Sequence, residues 1–138
     1  MKILRAARGS RMLAAVICLA ATLAAGERAV AAHAILQTLD VDKDYTLDID
    51  EVRLAATKLF QRLDHDRDGT LEYKEVVQRI SRPDFARADP DHDGTLSLAE
   101  YLALVEKLFK ASDADGDSQI AERELRSESA AALLRLIH

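Results

Sequence analysis

The residues able to do chemistry in this 138-residue chain are carboxylates, and they recur in register. Four twelve-residue segments align without gaps: DVDKDYTLDIDE (40–51), DHDRDGTLEYKE (64–75), DPDHDGTLSLAE (89–100) and DADGDSQIAERE (113–124). Their starts lie 24, 25 and 24 residues apart. Each has Asp at positions 1, 3 and 5, a branched aliphatic residue at 8 and Glu at 12. A hard cation takes roughly six to eight oxygens at about 2.3–2.6 Å, and a twelve-residue loop can supply them from positions 1, 3, 5, 7, 9 and 12. Position 7 contributes its backbone carbonyl, and the Glu at 12 binds through both oxygens. The candidate ligands are Asp40, Asp42, Asp44, Thr46, Asp48 and Glu51 in loop one, and Asp64, Asp66, Asp68, Thr70, Glu72 and Glu75 in loop two. Loop three offers Asp89, Asp91, Asp93, Thr95, Ser97 and Glu100. Loop four offers Asp113, Asp115, Asp117, Gln119 and Glu124, because Ala121 at position 9 has no side-chain oxygen. All-oxygen ligation favours calcium-like hard ions over zinc or copper.

This spacing is that of the EF-hand calcium loop. Position 6 turns with positive φ, which suits Gly69 and Gly94 in loops two and three. Tyr45 and Ser118 hold that position in loops one and four, where a side chain costs on the order of 1 kcal/mol. Loops two and three are therefore expected to be the stronger sites. His65 and His92 fall at loop positions 2 and 4, and His33 and His138 near the ends of the folded region, so none is expected to be a ligand.

The elements that must position these loops are short helices. Segments 52–63 and 101–112 carry apolar residues at helical spacing (Val52, Ala56, Leu59, Phe60 and Leu63; Leu104, Val105, Leu108 and Phe109). Each is expected to be one 12-residue helix, about 18 Å long, serving as the exit of one loop and the entry of the next. Loops one and two then sit at opposite ends of a helix, as do three and four. Pro83 interrupts the middle segment 76–88: it disfavours helix at Arg82 and suits the first turn of a new one. A reversal there pairs loop two with three and loop one with four, through β contacts at Leu47, Leu71, Leu96 and Ile120. Leu36, Phe60, Phe85 and Phe109 each precede a loop by four residues and are expected to form a repeated core contact. Ser127 is expected to cap a last helix whose Leu133, Leu134 and Ile137 close the bundle. The fold class is all-α: a compact bundle of four EF-hand helix-loop-helix units with shared short helices and short inter-loop β contacts.

Charge is unevenly divided. Lys2, Arg5, Arg8 and Arg11 precede an apolar run over 12–25 broken only by Thr22, and Ala29-Val30-Ala31 fits a cleavage site, as does Ala32-His33-Ala34. Residues 1–31 thus read as a removable export signal, the run being shorter than the roughly 20 residues of a membrane span. Cys18, the single cysteine, lies within it, so the mature chain has neither disulfide nor thiolate site. Residues 32–138 form one domain with 23 acidic and 14 basic groups, net −9. Such a surface repels nucleic acid and anionic lipid, and neither nucleic acid nor membrane is expected as a partner of the mature form. No Ser/His or Cys/His nucleophile set is present, and ligation accounts for the acids, so no enzymatic activity is expected.

The short 12–13-residue connections, the signal segment, the segment DPDHDGTLSLAEYLALVEKLFKA with Pro90, and the ending LLRLIH resemble the lanmodulin-like family of exported bacterial EF-hand proteins. The resemblance implies the fold, export to the periplasm or medium, and binding of calcium and/or trivalent lanthanide ions, up to four, with folding or tightening on binding. Lanmodulin-type loops carry Pro at position 2 and Asp at 9. Here position 2 is Val41, His65 and Ala114 in the other loops, and Asp at 9 survives only as Asp48, so lanthanide selectivity is not implied. The alternative is a periplasmic calcium sensor or buffer acting through a protein partner. A Met-rich target groove is absent from that reading, since Met1 and Met12 both fall in the signal.

Overall fold

The computed structural model describes residue 30 and residues 32–138. Residues 1–31, expected to be an export signal, lie outside the described residues apart from Val30. Helix α1 covers residues 32–39. The chain continues through β1 (Thr46–Asp48), α2 (Ile49–Leu63), β2 (Thr70–Glu72), α3 (Tyr73–Val76), α4 (Arg82–Ala88), β3 (Thr95–Ser97), α5 (Leu98–Ser112), β4 (Gln119–Ala121), a 3-10 turn (Glu124–Arg126) and α6 (Glu128–Leu134). No helix among the described residues is long and apolar enough to cross a membrane.

The two long helices differ from expectation. Each has 15 residues and starts at loop position 10, three residues earlier than predicted. Local capping explains this. The position-9 side chains of Asp48 and Ser97 accept from the N–H of Glu51 and Glu100, while those glutamates accept from the position-9 N–H. This reciprocal capping box satisfies helix-end donors. The last three loop residues are thereby both the end of the loop and the first turn of a helix.

α3 ends at Val76, and the chain turns over residues 77–81 before α4. Pro83 sits in the first turn of α4 as expected, but Arg82, where helix was expected to be disfavoured, is the first helical residue, because Ser81 caps the helix one residue earlier by accepting from the Asp84 N–H. The strands pair antiparallel as β1–β4 and β2–β3. Leu47 faces Ile120 and Leu71 faces Leu96, all four fully buried. Loops one and four thus meet at one end of α2 and α5, and loops two and three at the other.

The core joins these ends. Leu36, Phe60, Phe85 and Phe109 are 2–6% exposed, and the carbonyl of each accepts from the N–H of the first Asp of the following loop. A large apolar residue at one spacing therefore both fills the core and closes the helix into its loop. Phe60 meets Tyr101 edge-on at 5.6 Å, and Tyr73 meets Phe85 at 5.5 Å. Arg53 of α2 pairs with Glu106 of α5 at 2.8 Å. Ser127 caps α6, whose Leu133 is buried with Ile137 beyond it, whereas Leu134 is only partly buried. Leu136, three residues after Leu133 and so on the same helical face, takes the closing place expected for Leu134: it is buried, and its carbonyl accepts from the Tyr101 hydroxyl at 2.9 Å.

Candidate metal centre

The backbone of each loop is wound around its own first aspartate. Asp40, Asp64, Asp89 and Asp113 each accept through Oδ2 from the position-6 N–H, at 2.9–3.1 Å. That wrap demands positive φ at position 6: +68° at Tyr45, +88° at Gly69, +86° at Gly94 and +69° at Ser118. Position 4 also turns this way, at Lys43, Arg67, His92 and Gly116, which the sequence pattern does not betray because only loop four places Gly there. Tyr45→Gly is expected to raise stability by about 0.5–1 kcal/mol, the strain at a left-handed site less the greater flexibility of Gly when unfolded. Urea unfolding of the calcium-loaded protein reads this, and an unchanged midpoint would refute the strain.

The Glu at position 12 closes each loop from the other side. Glu51, Glu75, Glu100 and Glu124 accept through Oε2 from the position-9 N–H at 2.8–3.2 Å. Oε1 of Glu51, Glu75 and Glu124 also accepts from the position-2 N–H of Val41, His65 and Ala114. Loop three differs, because Pro90 has no N–H to give. Positions 1, 3 and 12 consequently converge in every loop: Asp40, Asp42 and Glu51; Asp64, Asp66 and Glu75; Asp89, Asp91 and Glu100; Asp113, Asp115 and Glu124, each with ligand atoms within 4.8 Å of one another. Asp66, Asp68 and Glu72 form a further such group in loop two.

The remaining predicted ligands are placed differently. Asp44, Asp68 and Asp93 at position 5 each accept the backbone N–H and the hydroxyl of Thr46, Thr70 and Thr95 at position 7, and Asp117 accepts the Gln119 N–H. These bonds hold Asp68, through the Thr70 N–H first, and Asp93, through the Thr95 hydroxyl first, below the usual carboxylate range. A lowered folded-state pKa contributes stability that is present at neutral pH and lost as pH falls through it. Asp48 and Ser97 at position 9 cap their helices, and Glu72 pairs with Lys74 at 3.1 Å. Glu72 is held low by its contact with Glu75 first and Lys74 second. None of the described histidines belongs to one of these convergent groups; His33 instead lies 3.7 Å from Glu122.

The loops are not equivalent inside. Among the described residues, three buried side-chain oxygens lack a hydrogen-bond partner: Asp64 Oδ1, Glu72 Oε2 and Asp89 Oδ1. All three are candidate ligands in the paired loops two and three. Asp89 is only 5% exposed, so its unpartnered oxygen cannot fall back on bulk water. Such a group costs about 1–3 kcal/mol or more unless something satisfies it, and a hard cation is the partner its companions Asp91 and Glu100 would share. The donor set and the orphaned atoms fit such an ion. Loops one and four instead satisfy the equivalent atom internally: Asp40 Oδ1 accepts from Lys43 N–H, and Asp113 Oδ1 from Gly116 and Asp117.

Loop four also carries its own cation. Arg123 at position 11 pairs through Nη2 with Asp115, a position-3 ligand. An arriving ion must displace that guanidinium. The pair is largely exposed, so its worth is small; Arg123→Ala is expected to raise loop-four affinity only about two- to fivefold. The Gly116 amide signal in a calcium titration followed by nuclear magnetic resonance reads loop four alone. A midpoint that does not move would show that Arg123 does not compete.

The family model described as EF hand matches residues 57–80, from the second half of α2 through loop two and past α3. No curated protein matches the chain. That match and the convergent acidic groups together support an EF-hand protein whose loops are suited to calcium or another metal ion.

Proposed function

We propose that the chain is an exported metal-ion-binding protein that takes calcium or a trivalent lanthanide in up to four loops, filling loops two and three first. Binding folds or tightens the domain, and the role is that of a carrier or buffer rather than a catalyst. The observation that carries this reading is the pair of buried, unpartnered carboxylate oxygens on Asp64 and Asp89 in loops joined strand to strand. An ion that binds only the folded form stabilises it by mass action. Charge points the same way. Four divalent ions would take residues 32–138 from −9 to −1, and four trivalent ions to +3, relieving repulsion among acids that otherwise destabilise the compact state.

The test is a competitive titration of calcium against lanthanum followed by circular dichroism. Helix content rising at lower lanthanum than calcium supports lanthanide carriage. If micromolar calcium folds the protein as well as lanthanum does, the lanthanide half fails and calcium buffering stands. A spectrum indifferent to both ions overturns the whole reading.

A further inference from the structure

A groove of about 590 Å³ runs between α4, α5 and α6, away from the convergent ends of loops one, two and four. Its apolar floor includes Ile80, Leu104, Leu108 and Leu136. Its other lining residues include four cations, Arg79, Arg87, Lys107 and Arg135, against two carboxylates, Asp84 and Glu100. In a domain of net −9 this is a local reversal of sign. Two of the cations are already committed: Arg79 donates to the Arg135 and His138 carbonyls, and Arg87 pairs with Asp84 at 2.6 Å. Lys107 and Arg135 have no ion pair or side-chain hydrogen bond among the described residues, and both are exposed.

We propose that this groove binds an amphiphilic organic anion, with its apolar body on Leu104, Leu108 and Ile80 and its acidic head between Lys107 and Arg135. Charge complementarity selects the sign. Size selects the class, because the volume falls in the range of about 300–1,000 Å³ usual for small-ligand sites. A small anion also suits the molecule better than an acidic protein does. Screening over about 8 Å at physiological salt lets a small ligand meet the local cations alone, whereas a large acidic partner meets the −9 domain as well. The proposal does not depend on which ion the loops take.

The test is a titration of the calcium-loaded full chain with octanesulfonate, followed by amide shifts, beside octanol and octyltrimethylammonium. Octanesulfonate is used because it chelates calcium weakly. One saturable site is expected, with shifts confined to α4, α5 and α6, tighter than octanol, and no binding of the cationic analogue there. Lys107→Glu with Arg135→Glu, both at exposed positions, is expected to weaken octanesulfonate about tenfold or more while circular dichroism stays unchanged. Unsaturable shifts spread over the chain, equal binding of octanol, or a reversal variant that binds as well as the parent would each overturn the proposal. Should that double variant lose its helix signal, Lys107→Gln with Arg135→Gln gives the same reading with a smaller expected loss.

Discussion

Glu75→Gln combined with Glu100→Gln is expected to abolish the tight phase of calcium binding, lowering affinity at loops two and three on the order of 100-fold or more, since ligand charge sets affinity across several decades in such loops. The physical reason is local. Each glutamate brings two oxygens and a full charge to the group formed with positions 1 and 3, and an amide leaves one oxygen and no charge. The two substitutions should differ when no metal is bound. Glu75 accepts from both the His65 and Glu72 N–H groups, and an amide NH₂ would face one of those donors. Glu100 has no position-2 donor to satisfy, because Pro90 supplies none. Glu75→Gln should therefore cost metal-free stability about 1–3 kcal/mol, in the range for hydrogen bonds to charged groups, and Glu100→Gln less. Isothermal titration reads the first effect and urea unfolding in chelator the second. Tight binding that survives the double substitution would sink the ranking of the loops, and equal metal-free losses would sink the account of Pro90.

Leu71→Ala and Leu96→Ala are expected to cost about 2–5 kcal/mol each, the range for truncating a buried leucine where the site cannot collapse. Both side chains are fully buried and face each other across β2–β3. Their strand is three residues long, so little backbone pairing remains to hold the loops together. A domain of this size has only about 5–15 kcal/mol of total stability, and the double substitution should leave it unfolded at low metal. Facing residues share one cavity, so the two losses should not add. Cooperativity between loops two and three should fall with them, because the strand contact is the direct link between the two sites. Val77→Ala, half exposed, is the control and should stay within about 0.5 kcal/mol. Urea unfolding of the calcium-loaded forms decides it; a loss below 1 kcal/mol at Leu71 would show that the strand pair is not what joins the loops.

Much of the arrangement was legible because periodic residues do several tasks at fixed spacing. Phe60, Phe85 and Phe109, four residues before their loops, fill the core and close the helix end. Leu47, Leu71, Leu96 and Ile120 mark the strand contacts, and the shared helices together with the break near Pro83 pointed to which loops meet. The positive φ of Tyr45 and Ser118 was expected from the glycines of the sister loops. The early start of α2 and α5 was not read from apolar periodicity, since it depends on reciprocal hydrogen bonds between positions 9 and 12. Leu136 was within reach of periodicity, lying three residues after Leu133, but the bond from the Tyr101 hydroxyl to its carbonyl, 35 residues away in sequence, was not.

Sequence alone determined the ligand chemistry, the number and order of the acidic loops and the sign of the domain, because these follow from residue type and spacing. Tertiary structure decided which carboxylate oxygens are already spoken for. Asp40 and Asp64 occupy the same loop position, yet one has its oxygen satisfied by Lys43 N–H and the other has it buried without a partner. Structure likewise decided that Arg123 sits on Asp115 and that Arg79, Arg87, Lys107 and Arg135, from four separate stretches of chain, meet over one apolar floor. Hydrogen-bond satisfaction and burial are set by distances through space, and residues of identical type at identical spacing can differ in both.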